Sequence, residues 1–159
     1  MPSLTLHLPA LLTGREVALG AALAACFAAQ VAKVGLEYYL EKRWDPARLF
    51  GTGGMPSSHS AFVTGLASSL GTKHGLGSDI FAVAFVLACV VMYDATGIRQ
   101  HAGKHASVLN MIITELPPEH PAGRQPELKD ALGHTPVQVF AGAFLGILVG
   151  FVVAKIAGA

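Results

Sequence analysis

The chain is 159 residues long, and its 11 Lys and Arg and 10 Asp and Glu make up only 13% of it, against about 25% in an average soluble domain. With 52% of residues in the AVILMFWYC set, 18 glycines and a mean hydropathy of +0.52, this composition excludes disorder and asks for a bilayer as solvent. A formal charge of +1 gives no electrostatic footprint for a nucleic-acid partner.

In chain order, residues 17–40 form a nearly uncharged, alanine-rich run, a helix of roughly 20 residues or more and long enough to cross a hydrocarbon core. Residues 1–14 lack the basic start and cleavage site of a signal peptide. Residues 57–72 are a weaker apolar segment whose serines and glycines suit close packing inside a bundle better than lipid exposure. Ser78 or Asp79 can cap a third helix over residues 80–98. Residues 135–154 are twenty uncharged positions rich in Val, Phe, Gly and Leu, the cleanest span of the four. Cys26 and Cys89 lie far apart within apolar runs and read as buried small hydrophobes.

Between the third and fourth spans, Ala106, Leu109, Ile112, Ile113 and Leu116 recur at helical spacing, so a short amphipathic helix is expected at the interface. The Pro-rich stretch PPEHPAGRQPELKD after it reads as a loop. Fold class follows: all-α, an integral membrane helical bundle of about four transmembrane helices plus a short amphipathic interfacial helix. Residues 1–159 form one domain, with 99–134 as an insertion.

Alternating crossings put both long polar connections on one face. Those connections and their edges hold Lys33, Lys42, Arg43, Arg48, Arg99, Lys104, Arg124 and Lys129, leaving Arg15, Lys73 and Lys155 on the other. By the positive-inside rule the first face is cytoplasmic, which fits the inner membrane of a bacterium. Lys42, Arg43, Arg48 and Trp44 cluster there, as a topology determinant or a headgroup contact.

Two segments carry chemistry. In GTGGMPSSHS, residues 51–60, Gly54 and its neighbours let the backbone approach a ligand, and Pro56 suits a helix start. Ser57, Ser58 and the free amides of the first turn then face an anion, with His59 beside it. The plainer alternative is a glycine-rich turn whose serines cap a helix. In GHTPVQVFAG, residues 133–142, His134 stands at a helix start, and Gln138, one turn on, can accept from the imidazole and fix its tautomer. Topology brings Lys33, His59, Arg99 and His134 to one membrane face, one from each helix. Cations and helix amides there can neutralise phosphoryl oxygens while one imidazole attacks and the other protonates the leaving oxygen.

These segments carry a resemblance. MPSSHSA resembles the second signature of the type 2 phosphatidic acid phosphatase and vanadium haloperoxidase superfamily, and GHTPVQVFAG resembles the end of its third. GGMPSSHSA, YDATGIRQHAGKHASVLN and LGHTPVQVFAG together resemble its divergent branch, over residues 30–149. The resemblance implies that His134 is the nucleophile of a phosphohistidine pathway and His59 the general acid. It implies that Ser57, Ser58, Lys33 and Arg99 hold the phosphate, with Arg43 or Arg48 replacing the first signature's missing arginine.

Leu128 occupies the place six residues before His134 where that superfamily carries its Arg, so Arg99 must be brought back across an insertion. Gln138 stands where an acid is expected. His105, six residues after Arg99, is the alternative nucleophile, and His101 and His105 also have a metal-binding spacing. Asp94 is expected to pair with Arg99 or Lys33, with Mg²⁺ there as the alternative.

The resemblance implies a membrane phosphatase acting on a lipid phosphate monoester, like phosphatidylglycerophosphate or phosphatidic acid, with no cofactor required. The alternative is a non-catalytic lipid-phosphate binder or translocator. Small-residue helices also allow a homodimer.

Overall fold

The computed structural model describes residues 17–42, 54–117, 119–130 and 133–158. Arg43, Arg48, Trp44 and residues 51–53 of the glycine-rich segment lie outside them. Five α-helices follow in order: α1 (Val17–Glu41), α2 (Ser58–His74), α3 (Asp79–Thr96), α4 (Ile98–Glu115) and α5 (Pro136–Ile156), with a 3-10 turn at Pro121–Arg124. Three stretches, Val17–Leu40, Asp79–Glu115 and Pro136–Ile156, are long and apolar enough to cross a membrane. The molecule is an all-α membrane bundle.

Helix α2 is the axle of the bundle. It packs against α1, α3 and α5, whereas α3 and α5 meet each other only lightly. Its composition explains the position: Ser58, Ser60, Thr64, Gly65, Ala67, Ser69 and Gly71 are all buried, and small residues let backbones approach where lipid supplies no hydrophobic drive between helices. Ala61 of α2 packs on Ala25 and Ala29 of α1, with Leu145 and Val149 of α5 closing the cluster. Hydroxyls add interhelical bonds, Thr64 Oγ1 donating to the Ala143 carbonyl at 3.1 Å and Ser68 Oγ to that of Ile147 at 2.8 Å. Along α5, Gly142, Gly146 and Gly150 face the α2 backbone, and a Cβ at Gly146 would overlap Thr64 Oγ1 and the Ala61 carbonyl.

Large side chains point outward instead. Phe27, Val83, Phe85, Phe140 and Phe144 are all more than half exposed, while the largest fully buried side chains are serines. This arrangement is stable only where the surroundings are as apolar as the side chains themselves. The expectation that both cysteines are buried is corrected by it: Cys26 is half-buried and Cys89 is exposed, because α3 turns Cys89 to the outer apolar face and keeps Ala84, Ala88 and Ala95 inward.

The helix ends follow local rules. Ser57 caps α2, Ser78 caps α3 through the Phe81 amide, and Gly75, at φ 85°, stops α2. Gly97 breaks α3 from α4. On α4, Gly103 and Ala106 are buried and Val108, Leu109, Met111 and Ile112 exposed, which is the expected amphipathic helix, beginning eight residues before Ala106. The Pro-rich loop returns along it: Asn110 Nδ2 donates to the Leu128 carbonyl at 2.9 Å and its Oδ1 accepts from the Leu128 amide at 3.0 Å.

Candidate active site

One end of the bundle gathers the C-terminal part of α1, the start of α2, the end of α3, the start of α4 and the segment leading into α5. Two backbone hydrogen bonds lock it. The Ser57 amide donates to the Gln138 carbonyl and the His134 amide to the Ala95 carbonyl, each at 3.0 Å. Gly133 adopts φ 88°, and a Cβ there would run into the backbone of Arg99 and Gln100. Only glycine fits that backbone angle and that approach. The insertion therefore leaves and returns at one point, which brings Arg99 beside His134 across 35 residues of chain.

The two imidazoles stand edge to face with ring centroids 6.2 Å apart. His59, Asp94, Arg99 and His134, with Val91 and Ala95, enclose a pocket of about 20 Å³, room for about one water. Of its lining residues, His59 and Arg99 are exposed. His134 itself is 6% exposed, and neither ring nitrogen has a hydrogen-bond partner among the described residues. Its pKa lies below the usual 6.5, first because burial penalises the charged ring and then because His59, Lys33 and Arg99 oppose added positive charge.

Lys33 is 3% exposed, and its methylenes lie against Gly54, where a Cβ would come within 3.0 Å of Lys33 Cδ. The glycine, held at φ 80°, thus makes room for the lysine stem. Arg99 Nε donates to Asp94 Oδ2 at 2.7 Å, the expected pairing, though Arg99 belongs to α4 and not to the third span. Among the described residues no three His, Cys, Asp or Glu groups gather as a metal site.

Three readings change. Gln138 makes no hydrogen bond to the His134 ring: its Oε1 accepts from the Thr135 amide at 2.9 Å and its own amide donates to Thr135 Oγ1, a capping box. One position serves both roles in sequence, and Thr135 claims it. Gln138→Ala should therefore lower the melting temperature through a loss of about 1 kcal/mol while turnover stays within a few-fold of wild type. A thousandfold loss of rate in a folded variant would restore the orienting role.

Ser57, second, is fully buried with its hydroxyl accepting from the Ser60 amide at 3.3 Å and hydroxyl at 3.1 Å. Its side chain is spent on the cap. Third, His101 and His105 are exposed on α4 and line a separate depression with Tyr93, Gly97, Ile98 and Ala102; the chain brings His134, not His105, beside His59. The Ala95 carbonyl and Gly133 were not legible as site elements, because backbone contributions leave no side-chain pattern.

A profile of the divergent PAP2 family matches residues 15–149. An uncharacterized membrane protein, YuiD of Bacillus subtilis (strain 168), is 41% identical over 142 residues, covering 83% of this chain and 90% of its own length. No solved structure matches. With a match that spans the bundle and both histidine segments, the chain belongs to the divergent PAP2 family.

Proposed function

We propose that the protein is a membrane phosphatase that hydrolyses a lipid phosphate monoester through a phosphohistidine on His134. The observation that supports this most is the pair of imidazoles 6.2 Å apart, with Arg99 lining their pocket and Lys33 adding positive charge, at the end of an apolar bundle. The unprotonated His134 nitrogen attacks phosphorus as the P–O bond to the lipid alcohol breaks, and His59 gives its proton to the departing oxygen. Water then attacks the phosphohistidine, His59 takes up its proton, and the P–N electron pair returns to His134. Arg99, Lys33 and the α2 amides neutralise the equatorial oxygens throughout.

The distribution of cations, eight of 11 on the connections at this end and their edges, supports a site open to the cytoplasm, in a bacterial inner membrane. The test is phosphate release by the purified protein from phosphatidylglycerophosphate, phosphatidic acid and a polyprenyl pyrophosphate, with and without Mg²⁺. Release from at least one monoester is expected. Because the folded site keeps His134 unprotonated below the usual 6.5, the acid limb of the rate profile should fall below pH 6.5. Saturable headgroup binding with no release under any condition would instead make the protein a lipid-phosphate binder or translocator.

A further inference from the structure

A general acid surrounded by cations has a difficulty. Its proton is disfavoured by the very charges that hold the substrate. His59 faces Lys33 from α1, Arg99 from α4 and His134 ahead of α5, and the carboxylate facing it is Asp94, from the last turn of α3. Like charges around an imidazole disfavour its proton and a carboxylate on the same pocket offsets them. The carboxylate is not consumed by its arginine. The ion pair is single-pronged, Arg99 Nε to Asp94 Oδ2 at 2.7 Å, rather than a fork that occupies both oxygens. Asp94 also borders the same pocket of about 20 Å³ as His59, which gives one water a place to bridge them.

We propose that Asp94 is the positioning residue that holds the proton on His59, acting across the pocket the two share. It supplies from α3 the negative charge that Gln138, tied into the α5 cap, does not supply. The assignment differs from a carboxylate behind the nucleophile: it acts on the proton donor, and Arg99 fixes the carboxylate in place while binding phosphate with its remaining N–H groups. It rests on the phosphatase reading for its catalytic meaning but not for its measurement.

The experiment follows the imidazole signals of ¹⁵N-histidine-labelled protein in detergent against pH, assigned with His59→Gln and His134→Gln. In Asp94→Asn, which keeps an acceptor for Arg99 but no charge, the His59 titration midpoint should fall by about one pH unit, and Asp94→Glu should restore it. Should Asp94→Asn fail to fold, Asp94→Ser removes the same charge in a smaller side chain. In turnover, the basic limb of the rate profile should move by the same amount. An unmoved His59 midpoint in a folded charge-removed variant overturns the proposal, and so does a shift confined to His134. If no variant or wild type releases phosphate while the His59 midpoint moves, the proton-holding role stands and the phosphatase reading alone fails.

Discussion

His134→Ala should abolish phosphate release, with a loss of at least about 10³-fold, the scale seen when a covalent nucleophile is removed. The same variant should fail to take up label when the protein is quenched with a radiolabelled lipid phosphate. Folding should survive. The ring is buried but makes no hydrogen bond among the described residues, and the attachment of this segment to α3 runs through the His134 amide and the Ala95 carbonyl, which alanine keeps. His59→Ala should cost roughly 10²- to 10⁴-fold, the worth of a general acid. Label should still appear on the variant, more slowly, because the attacking nitrogen of His134 is intact, and should be lost slowly, because His59 also takes the proton of the attacking water. A folded His134→Ala protein with a rate within tenfold of wild type would remove it from the nucleophile's place.

The largest stability effect should come from the α2–α5 contact. Gly146→Leu places a branched side chain where a Cβ alone would overlap Thr64 Oγ1 and the Ala61 backbone. Neither neighbour can give way without moving α2, the helix on which α1, α3 and α5 pack. The cost should be about 3 kcal/mol, or a melting temperature lower by roughly 10 °C. Gly35 is the matched control, since a Cβ there meets nothing within 4 Å. Gly35→Ala should hold or raise stability, as alanine outranks glycine in a helix by about 1 kcal/mol. Equal melting temperatures for the two variants would show that close approach at Gly146 is not what joins the helices.

Much of this architecture was legible in the sequence because a bilayer imposes simple rules. The apolar runs at 17–40, 80–98 and 135–154 became α1, α3 and α5 within one or two residues, and the serine and glycine content of α2 announced an interior helix before any packing was known. The orientation of each helix about its axis was not legible. Hydropathy rates Phe144 and Cys89 as apolar whether they face protein or lipid, so it cannot separate a core face from a lipid face. Nor can it say that Ala and Gly, weakly apolar, form the core.

At the site, His59 was readable from its glycine- and serine-rich turn and from topology, and the need for Arg99 to return across the insertion from the family resemblance. The role of Gln138 was not, because a residue four places after a histidine and three after a threonine satisfies two rules at once. The geometry favours the cap, where both partners lie within the same turn.

The two main-chain bonds at this end, Ser57 to Gln138 and Ala95 to His134, have a consequence for how such a protein can vary. Every residue type except proline can donate from its amide, and any residue can accept through its carbonyl. The backbones that carry the two imidazoles are therefore tied through peptide groups, which many side-chain replacements leave intact. Lipid-facing positions of α3 and α5 are then free to drift with the thickness and composition of the host membrane. Mutational tolerance should accordingly be broad along the outer faces and fall sharply at the glycines that let the backbones meet.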